Sequence, residues 1–180
     1  MTQYQIMKSF AQTYWAALPH YWKAEQSLDR SYSAIRFRSE FFQALKWLIK
    51  HSGTLVPPRA SNEALDIASS CGIDLFALHW NNQCTAEKRI TGQRGRKVFV
   101  HEHELPVSVM YAKILKASSE IEILNILMHQ KVAWITKDED KRLHKTERTM
   151  LSYSDAGIAI QKNPYGDKWM DRDWVILSKV

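Results

Sequence analysis

Apolar side chains recur at helical spacing along most of this chain and gather in short unbroken runs at Val98–Val100 and Val132–Ile135. Ile6, Met7, Phe10, Tyr14, Trp15 and Leu18 predict a helix over 3–18, ended or kinked at Pro19. Ile35, Phe37, Phe41, Phe42, Leu45, Leu48 and Ile49 predict a long amphipathic helix from Tyr32 to His51, closed by Gly53. Trp15 and Trp47 fall at core spacing within these helices. Pro57-Pro58 reads as a stiff, extended linker. Ser61 is a good cap for a short helix through Ala64, Leu65, Ile67 and Ala68 that stops at Gly72. Ile73 to Trp80 fits either a strand or a helix, and the stretch from Asn81 to Gly95 reads as turn and loop.

Val98, Phe99 and Val100, between a Gly-rich loop and a proline, predict a strand over 97–103. After Pro106 the period turns helical again. One helix covers Val107 to Ala117, a second covers Ser118 to Gln130 with Ser118 or Ser119 as cap, and Val132 to Ile135 is a short strand. Thr136 with Glu139 makes a capping box that starts a helix running to about Met150. Gly157, Asn163-Pro164 and Gly166 break the last thirty residues into a loop-and-strand tail folded back on the body. The pattern therefore predicts a predominantly helical α+β fold, with N-terminal helices packed on a small C-terminal part that has few short strands. A single domain over 1–180 is expected, because neither half alone would bury much core. The alternative division is a helical part over 1–56 and a strand-containing, site-bearing part over 59–180.

The composition, 45% hydrophobic and 24% charged, is that of a globular chain. No apolar run approaches the ~20 residues that span a bilayer, and the N-terminus lacks a signal-peptide layout. The expected compartment is the cytoplasm, with no membrane partner. Cys71 and Cys84 are then expected as reduced, partly buried thiols. A zinc site can be drawn from Cys71, His79, Cys84 and His101, but its spacing matches no known zinc knuckle. Serine-hydrolase, nucleotide-hydrolysing and NAD-dependent chemistry are set aside, since G-x-S-x-G, P-loop and dinucleotide fingerprints are absent from the sequence.

Charge narrows the partners. A net charge of +6 with a pI near 9.3 favours polyanions. Lys88, Arg89, Arg94, Arg96 and Lys97 place five positive charges in ten residues without an acid. Gly92 and Gly95 make this carrier a flexible loop, suited to following phosphates. Lys141, Arg142, Lys145 and Arg148, with His144 among them, form a second basic stretch whose simpler reading is a solvated face. Trp169 and Trp174, flanking Asp171-Arg172-Asp173, are candidates for stacking on a base or a partner.

One stretch could carry catalysis. Glu102-His103 followed by Glu104-Leu105-Pro106 places an acid, a histidine, two further residues and a proline at the end of a predicted strand. This resembles the first element of the HNH, or ββα-metal, nucleases. The resemblance covers about thirty residues and extends to Asn125 and His129, four apart on a predicted helix, where i and i+4 share a face. It departs from the family pattern at Val107 to Ala117, which reads as helix where the family has a second strand. By resemblance, Glu102 would hold Mg²⁺ or another divalent metal and His103 would activate water, with Asn125 or His129 completing the metal or scaffold shell. A histidine near its ordinary pKa suits a general base at neutral pH, and the metal would neutralise charge on the phosphate. His101 shares a strand face with His103 and is either a further ligand or a surface residue. Glu104 is expected as a solvated turn residue, and Asn125 and His129 can also be read as satisfied polar groups on a mostly buried helix.

The expected function is thus a metal-dependent endonuclease of restriction, toxin or mobile-element type, acting on DNA before RNA and working as a homodimer. Arg94, Arg96 and Lys97, with Lys88 and Arg89, would hold the phosphate backbone. The alternative is a non-catalytic basic protein that binds nucleic acid or serves as a phage-type inhibitor, its histidines being structural.

Overall fold

The computed structural model describes residues 3–26, 31–143 and 150–166. In chain order the elements are α1 (Gln3–Gln26), α2 (Tyr32–Ser52), β1 (Arg59–Ser61), α3 (Asn62–Ser70), α4 (Gln83–Thr91), β2 (Phe99–His103), α5 (Val107–Leu115), α6 (Glu120–Met128), β3 (Val132–Thr136), α7 (Lys137–Arg142), α8 (Met150–Asp155) and β4 (Ile160–Gln161). Among the described residues the fold is predominantly helical α+β, with one small sheet. The chain divides into two compact units, Met1–Gly53 with Val107–Gln130, and Thr54–Pro106 with Lys131–Val180. The first unit thus takes in the helices after Pro106 as well as those before Pro57-Pro58.

The strands all lie in the second unit, and the elements described in the first, α1, α2, α5 and α6, are helices. Met7, Ala11, Tyr14 and Leu18 are buried on α1 at spacings of three and four, the period of one helix face. Leu45 and Ile49 of α2, Met110 and Ile114 of α5, and Ile123 and Leu127 of α6 are buried as well, and α1 packs on α2 and α6, as does α5. Ser31 caps α2 by accepting the Ala34 N–H. Of the two outcomes expected at Pro19, the helix does not end there: α1 continues to Gln26. Proline removes one helical hydrogen bond and costs ~3 kcal/mol inside a helix. The fully buried Leu18 before it offsets that loss, and so does the Trp22 Nε1 donating to the Leu115 carbonyl at 3.1 Å after it. The core expectation for Trp47 is also corrected. Lying two residues from both Leu45 and Ile49, it is on the opposite side of α2, is 60% exposed, and rests against the His51 ring at 3.9 Å between centroids.

The second unit is built on a sheet of order β2-β3-β1-β4. β3 runs antiparallel to β2 and parallel to β1, and β4 closes antiparallel on β1. Every residue of β3 is buried, as a central strand covered on both faces requires. One face gathers Ala60, Phe99 and Trp134 under Ala64 and Ala68 of α3. The other gathers Ala133 and Ile135 under Leu143, Tyr153 and Ile158. β1 escapes the sequence pattern because it has three residues, two of them polar. The parallel pair β1 and β3 both run directly into helices. Ser61 caps α3, and Thr136 with Glu139 forms the expected capping box on α7. The Glu139 carboxylate, 2% exposed, ties the two together, accepting from the Thr136 N–H at 2.8 Å and the Ser61 hydroxyl at 2.5 Å.

Two expectations for the C-terminal part change. α7 stops at Arg142, where Leu143 turns extended at φ −77° and ψ 131°, so one helix does not continue to Met150. The tail carries the short helix α8 before β4. Its described part folds onto the same unit, with the Tyr165 hydroxyl donating to Asp74 at 3.0 Å. Among the described residues no helix is long and apolar enough to cross a membrane.

Candidate nucleic-acid interface

The first basic stretch is carried by a helix and a loop. The stretch from Asn81 to Gly95, expected as turn and loop, contains α4, which buries Gln83, Ala86 and Glu87 on one face. Gly92 ends it in the left-handed region at φ 70°, its N–H returning to the Lys88 carbonyl. Lys88 and Arg89 therefore ride the last turn of α4, where the helix dipole favours cations. Arg94, Arg96 and Lys97 follow on the loop into β2. All five are exposed, and among the described residues none pairs with a carboxylate. Lys97 Nζ donates instead to the neutral Gln93 side chain. The second stretch differs. Lys141 pairs with Asp138 at 2.7 Å, and Arg142 with Glu63 at 3.3 Å, so its described cations already have acidic partners. His144, Lys145 and Arg148 lie outside the described residues, as do Trp169, Trp174 and Asp171-Arg172-Asp173.

Glu87 fixes where this loop ends. Its carboxylate is fully buried and accepts the backbone N–H groups of Lys97, of Val98 at 2.9 Å and of Phe99 at 3.0 Å. Gln83, one turn earlier, donates its amide to Glu87 at 2.7 Å and to the Phe99 carbonyl at 2.6 Å. β2 is the edge strand, and the two side chains supply Phe99 with both the acceptor and the donor that a further strand would have provided. A buried carboxylate is stable there because each lone pair meets an N–H dipole. Sequence reading missed both residues. The usable signal was Gln83 and Glu87 at i and i+4, with Ala86 and Ile90 on a neighbouring stripe and a closing glycine. It was weak because the inward face is polar, Gln83 and Glu87 being buried beside Ala86.

Trp80 is a third residue to which the sequence assigned no role. It lies just before α4, packs half-buried against the core cluster of Ile73, Leu75 and Phe76, and carries the Arg96 guanidinium 3.8 Å above its ring. An arginine over an indole at this distance is a cation–π contact worth about 0.5–1 kcal/mol at an exposed site.

The residues proposed for catalysis are distributed differently. The register pairs Phe99, His101 and His103 with Thr136, Trp134 and Val132 on one face, and Val100 and Glu102 with Ile135 and Ala133 on the other. Glu102 and His103 thus address opposite faces of β2, as neighbours on a strand must. His103 is 6% exposed, and His101 is half-buried with its ring 4.6 Å from that of Trp134 and 6.4 Å from that of His103. The solvated reading of Glu104 is corrected: it is 4% exposed, and its Oε1 accepts from Arg59 Nη1 at 2.5 Å. Its other oxygen is buried without a hydrogen-bond partner among the described residues. Burial pushes the Glu104 carboxyl above the usual range, against the pull of Arg59 and Lys131. Arg59, Ala133 and Glu102 stand in one row across β1, β3 and β2, so the acids of this stretch flank a structural arginine.

Asn125 and His129 belong to the other unit. Both are exposed, which replaces the buried-helix reading, and His129 caps α6 with its Nδ1 2.8 Å from the Asn125 carbonyl oxygen. Cys71 and Cys84 are free and half-buried, and His79 accepts from the Asn81 N–H. Among the described residues no three His, Cys, Asp or Glu side chains are grouped to hold a metal ion. No family model matches the chain, and comparison with characterised proteins and with solved structures found no match.

Glu87→Ala should free the loop without altering its basic charges. Three amides and the Gln83 side chain lose their acceptor, so stability is expected to fall by on the order of 3 kcal/mol. Amide hydrogen exchange at Val98 and Phe99 should quicken more than at Ile135. Unchanged exchange there would show that the carboxylate does not hold the strand.

Proposed function

We propose that this protein binds nucleic acid without cutting it, through the last turn of α4 and the loop that follows. The supporting observation is the contrast between its basic stretches. Lys88, Arg89, Arg94, Arg96 and Lys97 are exposed and unmatched by acids among the described residues, whereas Lys141 and Arg142 are already paired. Unpaired cations on an anchored frame gain most from phosphate, because no internal ion pair must break and the frame is already ordered. The contacts would be to the backbone, giving affinity and position without base identity. DNA is the first ligand to test.

Binding to a DNA duplex should weaken steeply as salt rises from low to moderate concentration. Replacing Arg94, Arg96 and Lys97 together by Gln should lower the log–log salt slope by roughly 2–3 units, at about 0.7–0.9 for each phosphate that is no longer neutralised. Binding that is insensitive to salt would remove this reading and leave the positive charge a solubility feature.

Hydrolysis of the bound strand, in the manner of the HNH nucleases that residues 102–106 resemble, is the competing reading. The observation favouring it is that His101 and His103 present their rings on one face of the edge strand, 6.4 Å apart. With Mg²⁺ or Mn²⁺ added, that reading requires plasmid cleavage by the wild type that His103→Ala abolishes while binding persists. Absence of cleavage, or cleavage retained in the variant, would leave binding alone.

A further inference from the structure

We infer that the loop recognises single-stranded nucleic acid, by stacking a base on the outer face of the Arg96 guanidinium. The inference rests on the binding role above and names the form of its ligand. Trp80 is packed against the core cluster, and the Arg96 guanidinium carbon lies over its ring, 3.8 Å from the ring centre. The indole therefore orients the guanidinium, which presents its opposite face outward, since Arg96 is exposed. A planar cation of this kind accepts a base as an aromatic ring does.

Arg94 and Lys97 flank the stack on the same loop, and Lys88 and Arg89 lie on the adjoining helical turn, where phosphates on either side of the stacked base can be met. In a duplex the base faces are already stacked on one another and only their edges are open. The platform thus has a use for a single strand that a duplex does not supply. Trp80 acts through Arg96 and is a positioning residue.

The test compares an oligothymidylate with an abasic oligomer of equal length and equal phosphate charge, each labelled and followed by fluorescence anisotropy at two salt concentrations. The wild type is expected to bind the oligothymidylate roughly tenfold more tightly, the effect of one stacked base. Arg96→Lys keeps the charge and loses the plane, so it should bind the two oligomers alike with an unchanged salt slope. Trp80→Phe should keep part of the discrimination and Trp80→Ala should lose it. Equal, salt-dependent binding of both oligomers by the wild type would overturn base stacking while leaving phosphate binding standing. Discrimination that survives in Arg96→Lys would overturn base stacking in the same way. No salt-dependent binding to either oligomer would overturn both.

Discussion

A fully buried carboxylate that accepts three consecutive backbone N–H groups is the constraint on which the site depends. Glu87 stands where an isolated charge would be least stable, and it is tolerated because Lys97, Val98 and Phe99 turn their amides onto it. In doing so it seals the outer edge of β2, assisted by Gln83 at the Phe99 carbonyl. An open edge beside a basic, glycine-containing loop would be free to pair with another chain. The seal removes that hazard and sets the point at which the loop becomes strand. Lys88 and Arg89 are then fixed by the helix that carries Glu87, and Lys97 by the amide that Glu87 accepts.

The same use of buried acids recurs elsewhere in this unit. Glu139 joins the helix starts that follow two parallel strands, and Glu104 neutralises Arg59 across the width of the sheet. Removing one member of such a buried pair typically costs about 3–5 kcal/mol, because the survivor is left uncompensated. Glu87, Glu104 and Glu139 thus serve as internal fasteners, while the bases of the first stretch stay outside with no acidic partner among the described residues.

Much of the fold was legible because helices advertise themselves through period and caps. Ser61, Ser119 and the Thr136–Glu139 box mark true helix starts, and Val98 to Val100 marks a true strand. What failed has a physical reason in each case. α4 hides because its inward face is polar, Gln83 and Glu87 being buried by hydrogen bonds that only the neighbouring strand supplies. α1 passes Pro19 because tertiary packing outweighs one missing bond. Glu104 looked like a turn residue because its partner, Arg59, is forty-five positions away. The Glu102-His103 pair was visible as a motif, and its opposite-facing placement on β2 follows from chain adjacency on a strand. The basic cluster was visible as charge. Its anchoring by Glu87 and its stacking on Trp80 exist only in three dimensions.

Mapping where a nucleic acid touches the folded protein tests the central claim most directly. In a titration of isotope-labelled protein with a short oligonucleotide, followed by amide and indole NMR signals, the largest shifts are expected at residues 88–99 and at the Trp80 indole. The buried amides of Val98 and Phe99 should respond although no ligand can reach them, because Glu87 couples them to the loop. Shifts centred on the Lys141–Arg142 segment or on α6, with Trp80 and the loop silent, would contradict the account.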